Sequence, residues 1–465
     1  MKCFSNNAKN LCNRLSVETI IAEDIVKKRF KNPSKYHNVY TLSELVYDVR
    51  DGSHQTPIYH EEGVPFISSK DIKPTEIEFG DVKYVSKYLY EKLSGSNPKP
   101  EDVLLTKVGT IGVSTVVPDI DDHFSIYVSV AVLKDVFKDK CIPEYLAIYL
   151  NSFFTKIQID KFIKGIGVPD LHLEDIKNIK VIVPKKELQQ EIIDFYKRIT
   201  NKIKKYKNRI KLIYKIFENI LYEKVSIKKQ SIVEIKKTNS IELDKLKERF
   251  DVSFHLKNYD YEVKNSEMDI KKLKEVVWNI SSGKRPKGGV KYIKEGVPSL
   301  GGEHINLNGE IVYNDMKYVT KRFYKDNPNI KINEMDILIC KDGATTGKVA
   351  IVNENFKYDL AATNEHLYRI SILSEYNAKY IFAILNSDFG QEQIKRYISG
   401  GAQGGITLDI FNKIDIPIPS EDIQLEIATK YDQAIKLVNI CKKKIKKLEK
   451  YRENEIINYI NKREI

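Results

Sequence analysis

The chain is one unit written twice. Leu42-Ser43-Glu44-Leu45-Val46, with Gly52 after it, is echoed by Leu273-Lys274-Glu275-Val276-Val277 and Gly283. Gly63-Val64-Pro65 recurs as Gly296-Val297-Pro298, and Tyr84-Val85-Ser86-Lys87 with Tyr90 recurs as Tyr318-Val319-Thr320-Lys321 with Tyr324. Asp102-Val103-Leu104-Leu105-Thr106-Lys107-Val108-Gly109 pairs with Asp336-Ile337-Leu338-Ile339-Cys340-Lys341-Asp342-Gly343, and Leu150-Asn151-Ser152 with Leu385-Asn386-Ser387. From there the offset is constant to the C-terminus. A repeat this long allows only folds made of two equivalent halves.

In each copy short β-branched runs, Val103–Leu105, Ile111–Val117 and Ile337–Ile339, alternate with turn residues and helical stretches, which predicts an α/β (α+β) globular domain. Each domain closes on a strand stopped by proline, Ile179–Pro184 and Ile414–Pro419, because proline lacks the donor that would continue a ladder. A long helix follows both times. Its apolar residues step by fours and threes through Leu188, Ile192, Phe195, Ile199, Ile203, Tyr206, Ile210, Ile213, Phe217 and Ile220. The second helix repeats the stripe at Ile423, Ile427, Ala434, Val438, Cys441, Ile445 and Leu448. Two equivalent seams in one chain are natural partners, so the helices are expected to pair as an antiparallel coiled coil, with pseudo-two-fold symmetry relating the domains. At 1.5 Å per residue the first rod is roughly 50 Å long, enough to hold the domains apart by more than one duplex turn. The expected organisation is an N-terminal segment (1–40), a first recognition domain (41–184), a central helix and linker (185–245), a second recognition domain (246–419) and a C-terminal helix (420–465).

Charge and composition narrow the partners. With 77 Lys+Arg against 64 Asp+Glu and a net charge of +13, the chain favours polyanions, and the lysines gather on the helices, at Lys197 to Lys211 and at Lys442 to Lys450. Such runs form solvated faces or meet DNA phosphates directly or through a partner. The five cysteines are scattered, which argues against a disulfide framework or a zinc site and for a reducing cytoplasm. Residues 1–15 have no apolar core, and no stretch reaches the ~18 apolar residues of a membrane span, so no membrane partner is expected.

The whole pattern resembles the specificity subunit of Type I restriction-modification enzymes. The likeness rests on Asp102 through Gly112, on Asp51-Gly52-Ser53-His54-Gln55-Thr56-Pro57 followed by Gly63 through Ser68, and on Arg249-Phe250-Asp251 ahead of the second domain. Pro184–Glu191 and Pro419–Glu426, with Gln189 and Gln424 in register, resemble the start of that family's helical regions. The first copy departs from the pattern, with Arg29-Phe30-Lys31 in place of Arg249-Phe250-Asp251. The resemblance implies that each domain reads one half of a split, asymmetric site in double-stranded DNA, with the helices setting the unread spacer. It also implies two adenine-methyltransferase subunits docked on the helices, with a restriction and translocase subunit as a further partner. S-adenosylmethionine and ATP would then bind only to those partners, and this chain would hold no cofactor, metal or catalytic residue.

Motifs for independent chemistry fail on inspection. Asn97-Pro98-Lys99-Pro100 and Asn327-Pro328-Asn329-Ile330 lack the Pro-Pro-aromatic core of an adenine methyltransferase. Gly343-Ala344-Thr345-Thr346-Gly347-Lys348-Val349 is one residue short of a phosphate loop and carries Val349 where a hydroxyl would hold magnesium. Asp170, Asp175 and Lys177 offer nuclease-like groups, but Gly405, Ile410 and Asn412 take their places in the second copy.

Base reading needs donors and acceptors on loops held by rigid strands. The first candidates are Ser53, His54, Gln55 and Thr56 in one copy and Lys284, Arg285 and Lys287 in the other, where a preserved scaffold carries changed loop chemistry. Next come the glycine hairpins with Lys107, Thr110, Lys341, Thr345 and Lys348, whose glycines also serve turns that need positive φ. Ser68, Ser69 and Lys70, the counterpart His304, and Gln403 in its glycine loop complete the set. The competing reading is a coiled-coil structural adaptor whose domains have weak or lost DNA specificity.

Overall fold

A computed structural model of the chain describes residues 37–120, 123–162, 170–229, 261–263, 268–290, 293–398 and 404–461. Residues 1–36, the Arg249-Phe250-Asp251 element and Gln403 lie outside them. The chain divides into two compact units, one made of Met1–Lys207 with Lys442–Ile465, the other of Asn208–Cys441. Each unit takes in one recognition domain and a portion of both long helices.

In the first unit the strands are β1 (His37–Thr41), β2 (Val46–Asp51), β3 (Val64–Ile67), β4 (Ile72–Lys73), β5 (Glu76–Ile77), β6 (Lys83–Val85), β7 (Val103–Thr106), β8 (Ser114–Val116), β9 (Ser125–Ile126), β10 (Val130–Val136) and β11 (Lys180–Pro184). They form an antiparallel four-stranded sheet in the order β2-β10-β7-β8 and a three-stranded sheet β6-β3-β9, in which β3 and β9 run parallel. Val103, Leu105, Ala131 and Leu133 pack into the main core under the helix Pro143–Leu150, whereas Leu104, Val130 and Val132 pack into a second core on the other side of the sheet. Strands covered on both faces lose the polar alternation of a half-exposed sheet, which is why Val103-Leu104-Leu105 is an unbroken apolar run.

The second unit repeats this plan. Its strands are β12 (Ile227–Lys229), β13 (Tyr261–Val263), β14 (Asp269–Lys272), β15 (Val277–Ser282), β16 (Val297–Leu300), β17 (Lys317–Val319), β18 (Ile337–Cys340), β19 (Val349–Ile351), β20 (Ala362–Thr363), β21 (Leu367–Ile372) and β22 (Asp415–Ile418). The order β15-β21-β18-β19 matches β2-β10-β7-β8, and β17-β16-β20 matches β6-β3-β9, again with one parallel pair. Ile337 and Ile339 face the main core and Leu338 and Cys340 the opposite one. The closing strand pairs antiparallel with the opening one in each copy, β1 with β11 and β14 with β22.

The long helices are Lys186–Lys224 and Glu421–Asn461. Their pairing is antiparallel. In the first unit the Phe195 ring lies 5.6 Å from both Tyr451 and Tyr459, and Ile199 and Ile203 pack with Ile445 and Leu448. In the second, Phe217 meets Tyr431 at 5.6 Å and Lys224 Nζ reaches Glu426 at 2.8 Å. At the start of each helix the buried strip is wider than the seam: Ile192 and Ile427 join the domain cores together with residues of the opposite helix, Ile456 and Ile460 in the first unit and Leu221 in the second, and Ile193, Tyr196 and Ala428 outside the stripe are buried too. The first turns of each helix serve the domain as well as the helix pair, so they bury a wider strip than a heptad seam. Lysines of the basic runs are also engaged within their unit, among them Lys197 with Glu144 at 3.4 Å and Lys204 with Glu76 at 3.2 Å.

Candidate nucleic-acid interface

In the first unit the separately predicted loops converge. β2 ends at Asp51, and Ser53, buried, bridges Tyr127 just after β9. The Tyr127 N–H donates to the Ile67 carbonyl (2.8 Å) and the Val128 N–H to the Ser53 carbonyl (3.1 Å), which ties the ends of β2, β3 and β9 together. Ser129 is the knot: its carbonyl accepts from Lys107 N–H at 2.9 Å, and its hydroxyl accepts from Ser69 N–H at 3.0 Å. Gly52 permits the approach, since a Cβ there would lie 1.8 Å from the Ile126 carbonyl oxygen.

Around this knot His54, Gln55, Thr56, Lys70 and Thr110 are exposed, and Ser68 and Ser69 half-buried. His54 Nε2 sits 3.2 Å from Asp51, and Lys70 Nζ donates to the Asp81 carbonyl at 3.3 Å. Lys107 departs from expectation. Its side chain is buried, with Nζ 3.4 Å from Asp51 and 3.4 Å from Asp170, so it is an internal cation with two counter-ions and not a free surface group. Ser53 is likewise inward, its hydroxyl donating to the Gln55 carbonyl at 2.9 Å. Asp170 belongs to this cluster, while Lys177 pairs with Glu174 at 2.9 Å. Gly109 and Gly112, at φ 79° and 86°, supply the left-handed turn between β7 and β8.

The second unit builds the same convergence from different chemistry. Lys341 N–H donates to the His366 carbonyl (2.8 Å), Gly283 N–H to Leu367 (3.0 Å) and Asn364 N–H to Leu300 (2.8 Å). Lys284, Arg285 and Lys287 are exposed at the end of β15; Lys284 Nζ donates to Asn327 Oδ1 at 3.0 Å and Arg285 Nε to Glu365 at 2.8 Å. His366 lies between Glu365, at 3.4 Å from its Nε2, and Asp342, hydrogen-bonded to its Nδ1. Lys341, Thr345 and Lys348 are half-exposed on the hairpin. His304 departs from expectation: it is buried, and its Nδ1 accepts from Gly301 N–H at 2.9 Å. It takes the place of Asp71, whose carboxylate accepts from Ser68 N–H at 2.8 Å, so both residues close a turn of backbone and neither faces solvent. Burial holds the His304 imidazole below the usual histidine range.

Sequence reasoning did not single out Ser129, Glu365 or His366. The turns that join β9 to β10 and β20 to β21 share no sequence motif, Tyr127-Val128-Ser129 standing against Asn364-Glu365-His366; the signal available was only a polar residue just ahead of Val130 and Leu367.

The family-model matches fit this duplicated plan. Residues 38–214 and 265–450 match the family model described as the Type I restriction modification DNA specificity domain, each match running from a domain's first strands well into its long helix. The chain is similar to the Type I restriction enzyme MjaVIII specificity subunit of Methanocaldococcus jannaschii, 23% identical over 338 residues that cover 70% of each protein. It is also similar to the Type I restriction enzyme EcoBI specificity subunit of Escherichia coli, 29% identical over 133 residues, 29% of this chain and 28% of that one. Among solved structures, the Type I restriction-modification S subunit from M. genitalium aligns over 93% of this chain and 98% of its own at 14% identity, with a TM-score of 0.41.

Proposed function

The chain belongs to the Type I restriction-modification DNA specificity family, and we propose that its two domains each read one half of a bipartite, asymmetric site in double-stranded DNA. The observation that carries this reading is the loop convergence at Ser129 and at His366. Backbone hydrogen bonds there are duplicated, while the exposed side chains differ: His54, Gln55 and Thr56 in one domain, Lys284, Arg285 and Lys287 in the other. A common scaffold bearing unlike donors and acceptors is what two different half-sites require.

Docking of methyltransferase subunits is the second part of the proposal. Within the second unit Leu212 and Ile216 on one long helix and Leu437 and Ile440 on the other are 47–55% exposed. Apolar side chains left in solvent on paired helices suit further helices from a partner. In this reading adenine methylation, S-adenosylmethionine and ATP belong to the methyltransferase and restriction subunits, and this chain contributes recognition without catalysis.

Modified-base sequencing of genomic DNA, with and without this gene, tests the reading. A split adenine-methylation motif that disappears on deletion is the expected result. A methylome unchanged by deletion would overturn it and favour an adaptor.

A further inference from the structure

Both domains place a lysine where the loops converge, and surround it in opposite ways. Lys107 follows β7 and Lys341 follows β18, and each donates its backbone N–H to the residue just before the central strand, Ser129 or His366. The Lys107 side chain is 6% exposed, and its ammonium is held at 3.4 Å by Asp51 and at 3.4 Å by Asp170. In the register of the repeat Ser282 ends β15 where Asp51 ends β2, and Gly405 bridges Asp342 where Asp170 bridges Val108. Both carboxylates of the cage are therefore absent from the second domain. Lys341 Nζ donates to Ser282 Oγ at 3.3 Å and stands 5.6 Å from the centre of the Tyr368 ring. The acids nearby are otherwise engaged, Asp342 with His366, and Glu365 with Arg285 and His366.

A buried ammonium between two carboxylates would have to break both contacts to reach a phosphate, leaving charges unpaired in a desolvated site. A half-exposed ammonium with neutral partners has no such barrier, and releases counter-ions from DNA when it binds. We propose that Lys341 contacts the DNA backbone and that Lys107 is its caged counterpart, so that only the second domain brings this lysine to a phosphate. The proposal rests on the DNA-reading function above and adds an asymmetry to it.

The cage is transplantable. A Cβ at Gly405 would meet only Lys341 O at 3.4 Å and Asp342 Cβ at 3.7 Å, ordinary contacts, and Ser282 is exposed. The test uses the full chain and a short duplex of arbitrary sequence, with affinity measured against salt concentration and thermal melting as the control for folding. Each phosphate contact contributes about 0.9 to the slope of log K against log salt. Lys341→Gln is expected to lower the slope by about one, and so is Ser282→Asp with Gly405→Asp. Adding Lys341→Gln to the caged variant should bring no further change, which separates caging from general repulsion. Lys107→Gln should leave the slope as in the wild type; if it does not fold, the caged series decides alone. A wild-type slope in both Lys341→Gln and the caged variant overturns the asymmetry while leaving DNA reading intact. A Lys107→Gln loss equal to that of Lys341→Gln overturns it as well. A wild-type chain without salt-dependent binding to the duplex removes the DNA reading itself.

Discussion

Lys134 Nζ meets Asp102 Oδ2 at 2.8 Å inside the first unit, with both side chains less than a tenth exposed. The lysine also donates to the Asn97 carbonyl at 2.6 Å, and the carboxylate accepts from the Lys99 and Asp135 N–H groups, each at 2.9 Å, so every charge is answered. In the second unit the equivalent carboxylate, Asp336, is met by Arg369 at 3.0 Å and by the Ser371 hydroxyl. Ser371 holds the strand position of Lys134, and the cation has moved two residues along β21, to the next side chain on the same face. Lys134→Met should strand Asp102 without its counter-ion and destabilise the first unit by about 3–5 kcal/mol. Urea unfolding of the full chain checks it; a shift below about 1 kcal/mol would mean the carboxylate is satisfied by backbone alone.

Gln189 and Gln424 fasten each long helix to its domain. Gln189 accepts from Ile142 N–H at 2.8 Å and donates to the Lys140 and Pro184 carbonyls; Gln424 accepts from Asn377 N–H at 3.0 Å and donates to Pro419. Gln189→Leu keeps much of the volume but leaves those backbone groups unpaired, at a cost of about 1–3 kcal/mol. Amide exchange at Ile142 should accelerate selectively, with Asn377 unaffected. Equal acceleration at both sites would contradict a local fastening role.

Much of this was legible in the sequence because it repeats. The apolar seam, the closing prolines and the two glutamines recur at one offset, and periodicity alone predicts paired helices. The caged lysine was not legible. Asp51 and Asp170 are far apart along the chain, and only the fold brings them to Lys107, the one from the end of β2 and the other through the bridge of Asp170 to Val108. His304 was misread for a related reason: its structural equivalent is a carboxylate, Asp71, and two acceptors of backbone N–H need share no chemistry beyond a lone pair.

Burial of His304 gives the second unit a pH dependence. The folded imidazole of His304 sits below its usual value of 6.5, chiefly through burial, whereas the unfolded chain binds its proton normally. Between the two values the unfolded state holds more protons, so stability is fully present above about pH 6.5 and is lost as pH falls toward the folded value, by at most about 1.4 kcal/mol per pH unit. His304→Asn retains a backbone acceptor and removes the titration. Its unfolding free energy should vary less than the wild type's between about pH 5 and 7. Parallel curves for the two proteins would assign the dependence to other groups.

Arg285 and Lys284 test the division between domains most directly. Arg285 is 62% exposed and is aimed by Glu365 at 2.8 Å, while Lys284 is steadied by Asn327; neither supports the core, so their removal should spare the fold. A bidentate arginine contact to a base discriminates by about 1–3 kcal/mol, and a phosphate contact adds affinity without sequence preference. Lys284→Ala with Arg285→Ala should therefore relax one half of the methylated motif in the cell, with the other half unchanged base for base. The reciprocal change at His54 and Gln55, His54→Ala with Gln55→Ala, should relax the other half instead. Relaxation of both halves by either pair would mean that the loops grip phosphates in common, and that base reading lies elsewhere on the scaffold.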